Sequence, residues 1–91
     1  MKAKRLLIGG RVQGVGYRDW MVETARTLGV SGWVRNRADG RIEALVYGES
    51  DVVEELLRSC RRGPRRAEVL TIEEHLTDPP AEEGFYRRSD A

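Results

Sequence analysis

The chain has very few of the residues that build disulfides, metal sites and membrane spans. Its 91 residues include one cysteine, Cys60, and one histidine, His75. A single cysteine cannot form an intramolecular disulfide, and one cysteine with one histidine gives no metal-ligand spacing. The basic N-terminus is followed by only three apolar residues, 6–8, which are too few for a signal-peptide core or a membrane span. We therefore expect no metal and no membrane segment, with the cytoplasm as the default location.

The chain also lacks an excess of charge of either sign. Charged residues make up 34% of it, but 16 are basic and 15 are acidic, which gives a net charge of +1. This balance argues against a dedicated nucleic-acid or membrane-surface protein. At this length a chain buries roughly 60–65% of its unfolded surface, enough for one modest core. We expect a single domain over residues 1–91.

Hydrophobic periodicity predicts two helices among four or five strands. The predicted strands cover residues 4–12, 30–37 and 41–48, then a segment with Leu70, Ile72 and Leu76 on one face, and a short last strand at 84–88. The first helix is predicted over 18–28 and ends at Gly29; the second is capped by Ser50 and ends before Gly63. The order βαββαβ predicts an α+β ferredoxin-like sandwich, in which an antiparallel four- to five-stranded sheet carries two helices on one face.

The second predicted helix has a regular apolar stripe and a basic end. The stripe consists of Val53, Leu56, Leu57 and Cys60. Because Cys60 lies in this stripe, we interpret it as a small core residue and not as a nucleophile. The basic residues around the helix end are Arg58, Arg61, Arg62, Arg65 and Arg66. They form either a solvated face favoured by the helix dipole or a docking patch for an acidic partner or RNA.

A glycine-rich segment, GGRVQGVGYR at residues 9–18, joins the first strand to the first helix. Glycines allow backbone N–H groups to converge on one point, and the N-terminus of a helix adds unpaired N–H groups with partial positive charge. Arg18 supplies a planar guanidinium that matches phosphate oxygens. The segment therefore predicts an anion-binding loop, although a simple tight turn would use the same glycines. Its spacing matches neither a P-loop nor a dinucleotide fingerprint.

The topology also predicts that Asn36 lies beside this loop. In a ferredoxin-like sheet the first and second strands are both antiparallel to the third, so they run in the same direction. Their C-terminal ends then share one edge of the sheet. The first strand ends at the glycine loop and the second ends at Asn36. We expect Arg18 and Asn36 to belong to one site, unless Asn36 is only a turn residue beside Asp39 and Gly40.

Two blocks of the sequence closely resemble the acylphosphatase family. The first is GRVQGVGYR at 10–18; the second is GWVRN at 32–36, followed by DGRIEA at 39–44. The resemblance extends through nearly the whole chain and weakens in the last dozen residues. It implies the ferredoxin-like fold and the hydrolysis of acyl phosphates to a carboxylate and inorganic phosphate, with no metal or cofactor. In the implied site Arg18 binds phosphate and Asn36 orients the attacking water.

The residues themselves predict the same two roles, phosphate binding by Arg18 and water binding by Asn36. A phosphoryl group in the loop would be held by the Arg18 guanidinium and by backbone N–H groups of five residues: Gly14, Val15, Gly16, Tyr17 and Arg18. Asn36 offers a neutral side chain that can hold a water molecule. The expected partners are a small acyl phosphate as substrate and inorganic phosphate or a similar anion as product or inhibitor. We expect a monomer.

Two other functions remain open at this point. The chain could be a non-catalytic ferredoxin-like module that binds RNA through its arginine cluster, but Tyr47 is the only aromatic residue on the first and third strands. It could also handle carbamoyl phosphate, as acylphosphatase-like domains do inside larger maturation enzymes. The sequence departs from the family at Arg87, where an apolar strand residue is usual. The last strand could therefore be short, frayed or differently paired.

Overall fold

The computed structural model describes all residues from 1 to 91 and contains two helices and five strands. The strands are β1 (Lys2–Arg11), β2 (Ser31–Asn36), β3 (Ile42–Gly48), β4 (Glu68–Leu76) and β5 (Phe85–Arg87), and the helices are α1 (Tyr17–Leu28) and α2 (Ser50–Arg62). The predicted element order is confirmed, with bounds that differ by one or two residues. No helix is long and apolar enough to cross a membrane.

The five strands form one sheet in the order β4-β1-β3-β2-β5. β3 is antiparallel to both β1 and β2, so β1 and β2 run in the same direction. The prediction of an antiparallel sheet was wrong for β5, which pairs in parallel with β2. The reason is the connection at 77–84, which carries the chain from β4 at one edge to the opposite edge and returns it in the direction of β2.

One face of the sheet is buried under both helices. Alternate residues of the central strands point into this core, among them Leu6, Ile8, Ile42, Ala44 and Val46. The predicted stripe of α2 is also confirmed, since all four of its residues are buried. On β4, Ile72 and Leu76 share a face as predicted, although Leu76 is 84% exposed. The prediction was wrong for Leu70, which is 70% exposed at a bulge where Val69 takes the position on that face. β4 is an edge strand, and its apolar contacts with the core come from Val69 and Ile72.

Backbone hydrogen bonds, and not side-chain caps, define where the two helices begin and end. Gly29 ends α1 as predicted, in the left-handed conformation with φ 75°. Ser50 was predicted as the cap of α2, but it is the first helical residue and Glu49 is the cap. The Glu49 carbonyl accepts the Val53 N–H at 2.9 Å, which starts the helix one residue earlier than predicted. No side-chain hydrogen bond caps either helix at its start.

The other face of the sheet carries an ion-pair network centred on Glu43. This carboxylate is only 4% exposed. It accepts hydrogen bonds from Arg5 Nε at 2.7 Å and from Arg35 Nε at 2.8 Å. Since the three residues belong to β1, β3 and β2, the network ties the central strands together across the face that the helices do not cover.

Candidate active site

The loop between β1 and α1 has its backbone shaped by two glycines in the left-handed region. Gly14 has φ 75° and Gly16 has φ 80°, where residues with a Cβ are strained. A Cβ built on either glycine would meet no protein atom within 4 Å, so both face open space. The loop is fixed from behind by Gln13, whose amide donates to the carbonyls of Arg37 and Arg41 at 2.9 and 3.0 Å. Gln13 therefore attaches the loop to the β2–β3 hairpin.

The N–H groups of this loop have no acceptor within the protein. None of the backbone hydrogen bonds outside the helices and strands has its donor in residues 13–19. The first N–H groups of α1 are free for the usual reason, since a helix has no acceptors before its first turn. Free N–H groups and the positive end of the helix dipole thus face the same space, which is the arrangement that binds anions.

Arg18 stands at the first turn of α1 and already binds a carboxylate. Its side chain is 27% exposed, and Nη1 lies 3.2 Å from Asp90 Oδ1. The same Asp90 oxygen accepts the backbone N–H of Asn36 at 3.2 Å. A carboxylate of the chain itself therefore connects Arg18 and Asn36, and an oxyanion occupies this position in the structure.

Asn36 ends β2 and supplies the only buried side-chain oxygen or nitrogen that lacks a hydrogen-bond partner. The atom is Oδ1 of its amide. Its main chain is held in place on both sides, because the N–H donates to Asp90 and the carbonyl accepts the Ala91 N–H at 3.0 Å. Buried polar atoms are nearly always satisfied, so a fixed and unpaired acceptor indicates a place for a donor from outside the protein.

These groups line one small pocket of about 70 Å³. Its residues are Val12, Gly14, Gly16, Tyr17, Arg18, Asp19, Asn36 and Arg87. The structure thus brings Asn36 together with four of the five residues predicted to bind phosphate, and Arg18 is one of those four. The exception is Val15, which does not line the pocket.

Three charged residues near the site were not predicted from the sequence. Asp19 and Arg87 line the pocket and are joined by an ion pair of 2.7 Å, and Asp90 bridges Arg18 and Asn36. The only signal in the sequence was the departure from the apolar pattern at Arg87. Nothing in the spacing could place residues of the last strand beside a loop some 70 positions earlier, because that requires the parallel pairing of β5 with β2.

The nucleophilic and metal-binding side chains lie elsewhere. Cys60 is fully buried, and burial raises the pKa of its thiol to about 12. His75 is an exposed residue of β4 whose nearest charged partner is Glu73 at 3.6 Å. No group of three or more His, Cys, Asp or Glu residues is placed to hold a metal ion. All five residues of the arginine cluster are exposed, and none of them lines the pocket.

The fold and the pocket together define a small ferredoxin-like sandwich with a glycine-rich loop of unpaired N–H groups beside its pocket. The acylphosphatase family model matches residues 4–86. An acylphosphatase of Acidiphilium cryptum is 62% identical over 89 residues, which cover 98% of each chain. The chain therefore belongs to the acylphosphatase family, and it is an enzyme of the hydrolase class.

Solved structures agree with this assignment. The crystal structure of an acylphosphatase from Bacillus subtilis superposes with a TM-score of 0.88 at 29% identity, and covers 96% of this chain and 97% of that one. An acylphosphatase structure from Coxiella burnetii gives a TM-score of 0.90 at 28% identity, over 96% and 92% of the two chains. The predicted ferredoxin-like fold is confirmed by this likeness.

Proposed function

We propose that this protein hydrolyses acyl phosphates without a metal or cofactor, with Arg18 and the loop amides binding the phosphoryl group and Asn36 orienting the attacking water. The observation that carries this proposal is that Asn36, whose side-chain Oδ1 has no hydrogen-bond partner, lines the same pocket as Arg18 and the glycine-rich loop. An anion-binding cradle and a vacant acceptor for water are the two parts that the reaction requires.

The phosphoryl oxygens take the place that the Asp90 carboxylate occupies beside Arg18. The guanidinium and the loop N–H groups then surround the oxygens on which negative charge is distributed in the transition state. Phosphoryl transfer proceeds through a loose, in-line transition state, so positioning and charge stabilisation provide most of the rate enhancement. The loop amides are fixed before the substrate binds, because Gln13 holds the loop, and Asp90 holds the Arg18 guanidinium until the phosphoryl group replaces it.

The water donates a hydrogen bond to Asn36 Oδ1 and directs its lone pair at phosphorus. As the new P–O bond forms, the bond between phosphorus and the acyl oxygen breaks, and the carboxylate leaves with the electron pair. The proton of the water is released to a phosphate oxygen or to solvent. A carboxylate is a good leaving group and needs no protonation, which fits a site whose nearest carboxylates, Asp19 and Asp90, are both ion-paired.

The test is turnover of benzoyl phosphate by the purified protein in EDTA, compared with the Asn36→Ala variant. We expect rapid hydrolysis by the wild type and a loss of about 10²–10³ in kcat in the variant, the usual effect of removing a preorganised hydrogen-bonding group. Near-normal turnover by Asn36→Ala would contradict the role of Asn36. No turnover by the folded wild type would contradict the whole proposal and leave the pocket as an anion-binding site.

Arg18→Lys tests the phosphate-binding role separately. An ammonium group keeps the charge but cannot offer the two parallel N–H donors of a guanidinium. We therefore expect this variant to lose most of its activity and its affinity for inorganic phosphate together. Size-exclusion chromatography of the same samples tests the accompanying expectation that the active protein is a monomer.

A further inference from the structure

We propose that Arg87 selects acyl phosphates whose acyl part carries a second negative charge. The inference rests on the proposed function, because it assigns the part of the substrate that lies outside the phosphate cradle. Arg87 lies just beyond the residues that the family model matches, which end at 86. An arginine at position 87 is therefore a feature of this chain that lies outside the family match.

The strand pairing directs Arg87 toward the pocket. Arg87 is in register with Val34 on the neighbouring strand β2, and Val34 is fully buried on the helix side of the sheet. Neighbouring residues of paired strands share a face, so the Arg87 side chain extends toward α1. There its Nη1 donates to Asp19 Oδ1 at 2.7 Å, in the first turn of the helix. The guanidinium thus spans the gap between β5 and α1, at the side of the pocket that carries Arg18.

The exposure of the lining residues gives the pocket an inner and an outer end. Val12 and Tyr17, each 1% exposed, form the inner end. Arg18 is intermediate at 27%, and Arg87 at 45% lies at the mouth with Asp19. The volume of about 70 Å³ is far below the roughly 300 Å³ at which pockets begin to hold a whole organic ligand. The phosphoryl group fills this pocket, and the acyl part must therefore pass the mouth and meet Arg87.

Arg87 can exchange its present partner for a substrate anion. Asp19 is 74% exposed, and an ion pair between exposed groups contributes little because water screens both charges. A carboxylate or phosphate on the acyl part would offer the guanidinium the same oxygen acceptors that Asp19 offers now. A neutral acyl part offers no negatively charged oxygen, so the contact discriminates between substrates by charge.

The test compares two substrates of equal shape, 4-carboxybenzoyl phosphate and 4-carbamoylbenzoyl phosphate, which differ in one charge. The quantity of interest is the ratio of their kcat/KM values. In Arg87→Met we expect this ratio to fall by about threefold to tenfold, the size expected for one partly exposed charge-assisted contact. The loss should appear in KM, because the acyl charge binds equally in the ground and transition states.

Two further variants control for net charge and for folding. Arg88→Met removes the same charge from the next residue, whose guanidinium lies 4.7 Å from the Trp33 ring on the opposite face of the sheet. This variant should leave the substrate ratio unchanged. Asp19→Asn frees Arg87 from its partner and should raise the ratio, which gives the inference a test that does not depend on the folding of the Arg87 variant.

The outcomes separate this inference from the proposed function. If the wild type hydrolyses benzoyl phosphate but Arg87→Met changes the ratio no more than Arg88→Met does, only the role of Arg87 is overturned. An equal loss for both substrates in Arg87→Met would also overturn it and would assign the guanidinium to the phosphoryl group. If the wild type hydrolyses neither benzoyl phosphate nor the two test substrates, the proposed function and this inference fail together.

Discussion

Asp90 is the residue whose carboxylate most directly competes for the proposed phosphate position. Its Oδ1 contacts Arg18 Nη1 and the Asn36 N–H, both at 3.2 Å. A phosphoryl oxygen beside Arg18 would need the same space and the same donors. The carboxylate is about half exposed, so it can turn into solvent when an anion enters.

Replacing Asp90 with asparagine should therefore strengthen the binding of inorganic phosphate. We expect the inhibition constant of phosphate against benzoyl phosphate hydrolysis to fall by about twofold to fivefold, because an exposed ion pair that must be broken costs only a small free energy. The control is Asp78→Asn, which removes the same charge from an exposed residue in the loop after β4. Weaker inhibition in Asp90→Asn would show instead that Asp90 orients Arg18 for phosphate.

The sequence predicted those individual site residues whose role depends on the local backbone conformation. Arg18 and the glycines at 14 and 16 lie within five residues of each other, and their pattern predicts an anion-binding loop, with a simple tight turn as the alternative. Asp19, Arg87 and Asp90 could not be assigned in the same way. An exposed acid or arginine has no pattern of its own, and its partners are defined only by the packing of β5 beside β2 and α1.

The two helices are joined by a hydrogen bond that completes the end of α2. Tyr17 begins α1, and its buried hydroxyl donates to the Cys60 carbonyl at 2.6 Å. Cys60 lies in the last turn of α2, where carbonyls have no donor within the helix. The Tyr17 hydroxyl therefore satisfies a buried acceptor that α2 cannot satisfy itself, and it fixes α1 against α2 beside the glycine-rich loop.

Tyr17→Phe should lower the free energy of unfolding by about 1–2 kcal/mol, since the change leaves the Cys60 carbonyl buried without its donor. The measurement is urea unfolding followed by circular dichroism. Tyr47→Phe is the matched control, because the Tyr47 hydroxyl on the open face of the sheet makes no hydrogen bond within the protein. Equal stability of the two variants would mean that the contact between the helices contributes nothing.

The helices and strands were predicted well from the sequence, and the errors in that prediction have a common cause. The strand alternation at 42–46 and the apolar stripe of α2 are periodic patterns, and both are confirmed. The exposed leucines of β4 and the parallel direction of β5 were not predicted. Both depend on which strands form the edges of the sheet, and that order is decided by long-range pairing.

At the scale of the whole molecule, a charge network crosses the open face of the sheet and joins its three central strands. Glu43 on β3 is almost fully buried between Arg5 on β1 and Arg35 on β2. Burial alone would raise the pKa of this carboxyl, but the hydrogen bonds from Arg5 and Arg35 outweigh it and hold the pKa below its usual value. The native state thus favours the ionised form more than the unfolded chain does.

This shift predicts how stability depends on pH. A lowered pKa in the native state stabilises fully above the unfolded pKa, near 4.5, and the contribution disappears as the pH falls below that value. At pH 7 we expect Glu43→Gln to lose about 1–3 kcal/mol in the free energy of unfolding, because charge-assisted hydrogen bonds are lost. At pH 3 the gap between wild type and variant should be smaller. Urea unfolding of both proteins at the two pH values measures this.

Glu73→Gln provides the control for this prediction. Glu73 also pairs with an arginine, Arg41, but its side chain is 55% exposed. Its contribution should be small at both pH values, since solvent screens the pair. A gap for Glu43→Gln that stays constant with pH would contradict a lowered pKa for Glu43.

The sequence by itself determined the family, the order of helices and strands, and the two blocks that carry the candidate chemistry. It could do so because glycine conformations, helix ends and the alternation of apolar residues are local, and because the blocks at 10–18 and 32–44 are contiguous. Only the tertiary structure decided which other side chains lie around the residues of these two blocks. It placed Arg87 at the mouth of the pocket, Asp90 on Arg18 and Glu43 between two arginines, because each of these contacts joins residues that meet only when separate strands pair.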